Sequence, residues 1–372
     1  MSQARGRLTV RRLMILVLLV AALIGSFEAG RRWERPSSAS IDPFDAMEML
    51  SPSDQGRHRD ETRRRSSRPK PSRTQASAAT THPLRRVSML EAVDPLPITH
   101  GFLATGEKTF IRDSKGRVTW SYRLPTRDGW VLRDGRVLLA MAKSKPFPKG
   151  GVAEVDREGN VIFEFRGSQS EVNTVQEVGE GRILLSEAGD HPRLLEIDRE
   201  GKVHVEVPLK AQTKDHHLQT RMARKLENGN YLVPQLLDRV VREYTPKGEV
   251  VWEVATPHMP FTAIRLPDGH TVIGCTLGNL VIEVDKAGKT VWQVTNDDLP
   301  GRPINDACGV QRLPNGNTVI ASHHAGPEDV KLTEITPDKK IVWTYRNPDA
   351  TGIHHFQILD TDGVPLDGRP FK

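Results

Sequence analysis

The sequence predicts an all-β chain folded as a six-bladed β-propeller with four-stranded blades. Three observations carry that prediction. A pattern of short apolar runs and Gly-containing turns is written about five times, most plainly as GVQRLPNGNTVIASHH…KLTEITPDKKIVWTYRN from Gly309 to Asn347. Aligned on the turn glycines Gly135, Gly181, Gly229, Gly269 and Gly316, the copies lie 46, 48, 40 and 47 residues apart, which is the length of a four-stranded blade. A D-x-x-G-like turn then precedes an aromatic residue four positions on, as in Gly116 to Trp120, Gly159 to Phe163, Gly248 to Trp252 and Gly288 to Trp292.

Residues 1–30 read as a signal peptide or signal anchor. Arg5, Arg7, Arg11 and Arg12 precede an apolar run from Leu13 to Gly25. That run is shorter than the ~20 residues of a comfortable span and matches a signal-peptide core with its basic flank. No clean A-x-A follows it, so an uncleaved anchor with a cytoplasmic N-terminus stays open. Either way the propeller is expected to be exported, to the periplasm or cell envelope. Residues 31–92 are rich in Arg, Ser, Pro and Thr and read as a disordered basic linker. The chain carries +6, with about +3 in 1–30 and about +5 in 31–92, so the propeller, 93–372, is near −2. The basic balance thus belongs to the leader and linker, and nucleic acid is not an expected partner. Expected partners are the membrane, through the N-terminal segment, and an anionic small molecule, glycan or envelope protein; a monomer is expected.

The ends of the propeller are complementary. Segments 99–105, 108–112 and 118–123 supply three strands but no inner one, and the last copy supplies a single strand, 355–359. The C-terminal strand is therefore predicted to be the inner strand of the N-terminal blade, closing the ring and removing its edges. An open array or a seventh degenerate blade is the alternative. Blade 2 carries Val205 at the aromatic position, and Trp343 ends the pattern in blade 5 without a glycine. The repeated Trp residues are expected to pack blade against blade rather than to stack on a ligand. Cys275 and Cys308 fall on strand B of blade 4 and the inner strand of blade 5; two buried thiols are expected rather than a bridge.

Propeller geometry sorts the polar residues. Inner strands begin on one face of the disc, and the B–C loops open there too. Residues 215–219, 257–258, 305–306 and 354–357 start inner strands, and 143–145, 187–191 and 323–324 lie in B–C loops. These segments hold eight of the chain's 13 histidines. Imidazoles and carboxylates around a channel suit a metal or proton-transfer site, so a divalent ion is an open possibility. The repeated H-H-x-Q, His216 to Gln219 and His354 to Gln357, comes from blades 3 and 6, opposite across the axis. The candidate ligand-binding residues are His216, Gln219, Asp306, His323, His324, His354, Gln357 and Lys143. Taken singly, a histidine that starts a blade is more often structural; the cluster together points to a site.

The motifs R-L-P-N-G-N-T-V-I (312–320), E-V-D-x-x-G-K-x-V-W (283–292) and H-H-F-Q-I-L (354–359) resemble the bacterial exported PQQ-like and arylsulfotransferase-like propeller group, over about residues 98–360. Arylsulfotransferase-like enzymes use a channel histidine as nucleophile for sulfuryl transfer. The resemblance implies His217, His258 and His355 as candidate catalytic residues, with Arg221 as the cation. Quinoprotein dehydrogenases of the group have eight blades and commonly an adjacent Cys-Cys; with six expected blades and no such pair, PQQ is not expected as a cofactor. The expected function is a binding or scaffold module, with a transferase or hydrolase as the alternative.

Overall fold

The structure, a computed structural model, describes residues 97–349 and 352–372. The leader and the whole basic linker lie outside the described residues. Among the described residues no helix is long and apolar enough to cross a membrane.

Six antiparallel sheets form the propeller. Blades 1 to 5 run in sequence order, with inner strands Thr126–Val131, Glu171–Val178, Arg224–Lys225, Met259–Arg265 and Ala307–Arg312. Blade 6 takes its inner strand, His355–Thr361, from the end of the ring and its other strands, His100–Thr105, Thr109–Arg112 and Val118–Tyr122, from the beginning. Thr105 pairs with His355 and Leu103 with Gln357, so the ring closes as the sequence predicts. A short fifth strand, Val364–Pro365, flanks this inner strand.

Strand chemistry follows depth. The second strand of blade 1, Val137–Met141, is buried at every position, whereas the outermost, Val161–Arg166, buries one residue in six. A strand covered on both faces reads as a continuous apolar run. The A–B hairpins turn on glycines at positive φ, 87° at Gly135 and 85° at Gly316, which a residue with a Cβ adopts only under strain. In blade 5 the missing glycine is replaced by Lys339, itself at φ 64°.

Two repeated devices join the blades. The indole of Trp120 donates to Asp156 O (3.2 Å), that of Trp252 to Lys286 O (2.9 Å) and that of Trp292 to Pro337 O (2.8 Å), each on a turn of the following blade. The expected packing role of the tryptophans is thus what the structure shows. In blades 1 to 5 a glutamate five residues before the C–D turn position is paired with the next blade. Glu243 meets Arg265 (2.9 Å), Glu283 meets Arg312 (2.7 Å) and Glu334 meets His100 (2.7 Å). Glu196 takes Lys225 and the Tyr231 hydroxyl. Blade 2 has Glu177 where the cation belongs, and Arg199 bridges Glu154 and Glu177 at 2.8 Å each. The pairs are buried or half-buried, so their worth lies in register as much as in stability.

One sequence expectation changes here. His216 and His217 do not start an inner strand: they form a 3-10 turn, His216–Leu218, capped by Asp215, whose side chain accepts from the His217 N–H (3.1 Å). The strand begins only at Arg224, after Met222 at φ 28°. The two H-H-x-Q segments are therefore not equivalent, because the carboxylate of Asp215 holds the first as a turn while His355–Gln357 pair with blade 6.

Candidate functional site

Inner strands of blades 1, 2, 4 and 5 are bulged near their starts, and the extra residues are Arg127, Asn173, Phe261 and the Cys308–Gly309 step. A bulge breaks alternation and re-aims a side chain. In blade 2, Val172 and Val175 both join the cluster against blade 1, while Thr174 accepts from the Ala223 N–H of blade 3. Asn173 is the extra residue of this bulge. It is fully buried, and neither side-chain polar atom has a hydrogen-bond partner.

Ring contacts across blades show the convergence, and the first of them joins non-adjacent blades. Phe261 of blade 4 meets His354 of blade 6 edge to face, 4.8 Å between centroids. The Arg221 guanidinium of blade 3 lies 5.9 Å from the Phe261 ring. His354 also meets His323 at 5.1 Å, and His323 meets His324 at 4.6 Å.

A carboxylate–imidazole–guanidinium group forms one wall. Both Glu171 oxygens lie 3.1 Å from His217 Nδ1, and Arg221 Nη2 lies 2.9 Å from His217 Nε2. These contacts fit the Nδ1–H tautomer, donating to Glu171 and accepting from Arg221 at Nε2. Lys143 closes the rim with Nζ 3.0 Å from Glu171, its side chain 41% exposed. Burial opposes the charge on Glu171, but the His217 hydrogen bond and the Arg221 and Arg127 charges outweigh it and hold the carboxyl well below the usual range.

The facing wall is organised by Asp306. Its carboxylate meets His324 Nδ1 at 2.6 Å and accepts from Thr276 Oγ1 and the Leu277 N–H. Burial raises its pKa, but these partners leave it lowered. His354 donates Nδ1–H to Arg127 O (2.8 Å). Burial, with His323, Arg127 and Arg221 nearby, drives its pKa well below the ordinary value, so it is a neutral imidazole with its lone pair on Nε2. Cys308 beside it is a protonated thiol, pushed up by burial and then by Asp306. Cys275 is likewise buried, at about 12, and both cysteines are free.

The channel mouth thus brings together Lys143, His217, Arg221, Asp306, His323, His324 and His354. Other candidates lie elsewhere. His216 pairs with Asp190 on the rim (3.1 Å). Gln219 clamps Gly189 through two hydrogen bonds of 2.9 Å. His258 is exposed; a Cβ built on Gly278 would fall 2.5 Å from its ring. Gln357 accepts the Val131 N–H of blade 1 (2.8 Å).

His355 faces away from His354 into a second, deeper cluster. Its Nδ1 lies 3.3 Å from Lys372 Nζ and 3.5 Å from Asp128. Asp128 is paired with Arg224 (2.8 Å), and Lys372 Nζ donates to Gly129 O (2.7 Å). Burial and the neighbouring cations keep His355 neutral, and burial brings Lys372 down to about 7.

Sequence reasoning missed Glu171, Arg127, Asn173 and Phe261. The same rule that selected His354 would have found them, since all four begin inner strands. Among the described residues, one group places His, Asp and Glu ligand atoms in mutual reach: Asp268, His270 and Glu283, on the face away from this site. Glu283 there is already paired with Arg312.

Compared with solved structures, the chain is similar to a protein of unknown function from Bacteroides caccae, at 21% identity and a TM-score of 0.62, over 69% of this chain and 98% of that one. It is more distantly similar to virginiamycin B lyase from Staphylococcus aureus, at 14% identity and a TM-score of 0.45, over 60% and 71% of the two chains. No family model and no curated protein matches. The likeness shows the propeller fold; the narrower resemblance to PQQ-like and arylsulfotransferase-like proteins is carried by the repeat motifs alone.

Proposed function

We propose that the protein is a binding module whose channel mouth takes an anionic small molecule, and that its N-terminal segment exports the propeller and tethers it at the cell envelope. The observation that supports the site is the convergence of Lys143, Arg127 and Arg221, from blades 1 and 3, on the single carboxylate of Glu171. Asp306, the other carboxylate, is engaged by His324 and Thr276. A carboxylate, phosphate or sulfate entering over Lys143 meets preplaced cations and the Nε2 lone pair of His354, which suit an oxyanion carrying a donor group.

The transferase reading draws on the Glu171–His217 pair, in which a carboxylate orients an imidazole as in nucleophile–base systems. Arg221 Nη2 covers the nitrogen that such chemistry uses, which favours binding over turnover. The test is thermal unfolding of the full-length chain with 4-nitrophenyl sulfate, 4-nitrophenyl phosphate and hexuronates. At a hundredfold excess over Kd, a ligand raises stability by about 2.7 kcal/mol. The binding reading expects such a rise with at least one anion, lost in Arg221→Met. No rise with any anion, or one indifferent to Arg221→Met, sinks it; release of nitrophenol that His217→Ala abolishes establishes the transferase instead.

A further inference from the structure

The lower face, where the A–B hairpins lie, holds a cavity of about 320 Å³ between blades 3 and 4 and the segment Arg369–Lys372. That volume lies at the small end of ligand pockets. Ile264, Leu266 and Phe371 supply apolar wall, and Trp130 lines it with Lys372 Nζ 4.0 Å from its ring centroid. Its lining carries five basic side chains, Arg224, Lys225, Arg265, Arg369 and Lys372, against the carboxylates Glu227 and Glu243. Arg224 is held by Asp128, Arg265 by Glu243 and Lys225 by Glu196. Arg369 differs: among the described residues it forms no ion pair, and one nitrogen donates to Lys225 O (2.9 Å). Although Arg369 is exposed, desolvation and then the Arg224 charge lower its pKa, with the Glu227 carboxylate opposing them.

The segment that builds this wall is fixed. Arg312 N–H donates to Phe371 O (3.0 Å), Arg224 Nε to Lys372 O (2.8 Å), and the Lys372 ammonium is buried beside Asp128. The cavity is therefore a formed recess with apolar sides and one guanidinium that no carboxylate pairs directly, Glu227 acting on it only at longer range.

We propose that this recess is a second ligand site, which takes an organic monoanion with a flat apolar body, its carboxylate or sulfonate on Arg369 and its body against Phe371, Ile264 and Leu266. The site is separate from the channel mouth and stands or falls independently of it.

The experiment is calorimetric titration of the full-length chain with 2-naphthoate and with neutral 2-naphthylmethanol. Arg369→Gln and Lys143→Met are titrated alongside, each checked for an unchanged melting curve. One charge-assisted contact predicts naphthoate binding roughly tenfold tighter than the alcohol. Arg369→Gln is expected to remove that preference, and Lys143→Met to leave it intact. Absence of naphthoate binding at millimolar concentration overturns the proposal. So does binding indifferent to Arg369→Gln, and so does binding that Lys143→Met abolishes, which assigns the ligand to the other face.

Discussion

The two polar clusters of the channel use similar residues to opposite ends. At the upper mouth, Glu171, His217 and Arg221 are joined by Lys143, whose side chain is 41% exposed. Deeper, Asp128, Arg224 and His355 are joined by Lys372, whose side chain is wholly buried. In the deep cluster the chain supplies its own cation, and every charged group closes on another. At the mouth the outermost cation is partly exposed; each cluster keeps a buried polar atom without a hydrogen-bond partner, the Asn173 amide in one and His355 Nε2 in the other. Buried polar groups are normally satisfied. The difference teaches that a histidine count does not locate a site; what matters is whether the chain itself fills the cluster.

The largest effect tests the closed end. Asp128 accepts from Arg224, Gly129 N–H and Val175 N–H and faces Lys372, all buried. Asp128→Ala strands two buried cations and is expected to cost about 3–5 kcal/mol. Chemical denaturation measures it; a loss under about 1 kcal/mol would show that the deep cluster is not structural. Next comes a seam. Glu196→Ala frees Lys225 and the Tyr231 hydroxyl, and because Lys225 is 26% exposed and reaches water, a smaller loss of about 2 kcal/mol is expected.

The pH dependence follows from the imidazoles. His354 and His355 have folded pKa values well below 6.5, so below about pH 6.5 the unfolded chain binds protons that the native state refuses. Their contribution is present above pH 6.5 and is lost as pH falls below it, ahead of any carboxylate. Melting temperature should drop between pH 7 and 5, and His354→Gln should shallow that slope. A flat profile over this interval would mean that both rings take up protons while folded.

The periodic parts of the molecule were legible, and the aperiodic ones were not. Blade length, ring closure and the indole contacts follow from features repeated with every blade. The glutamates of the seams are nearly as periodic, in E-V-D-x-x-G and its variants, and at three seams pair with the cation four residues before the hairpin glycine, Lys225, Arg265 and Arg312. The mouth could not be read in the same way. Bulges at Arg127 and Asn173 depend on how neighbouring strands register, and the 3-10 turn of His216–Leu218 depends on the Asp215 cap. Adjacent histidines such as His354 and His355 part company because His354 lies in the bend before the strand that His355 opens.

The smallest stability effect makes the sharpest separation. Lys143 is a rim cation bonded to one oxygen of a carboxylate that His217 and Arg221 already hold. Exposed ion pairs contribute about 0–1 kcal/mol, so Lys143→Met should leave the unfolding midpoint nearly unchanged. The same side chain is the first cation an anion entering the mouth would meet, and its loss should weaken anion binding roughly tenfold, with a shallower salt dependence. Asp128→Ala should show the reverse pattern, a large stability loss with little change in the affinity of whatever native protein remains. If Lys143→Met instead destabilises the fold while leaving affinity intact, the rim lysine belongs with the closed cluster, and the contrast between the two ends of the channel collapses.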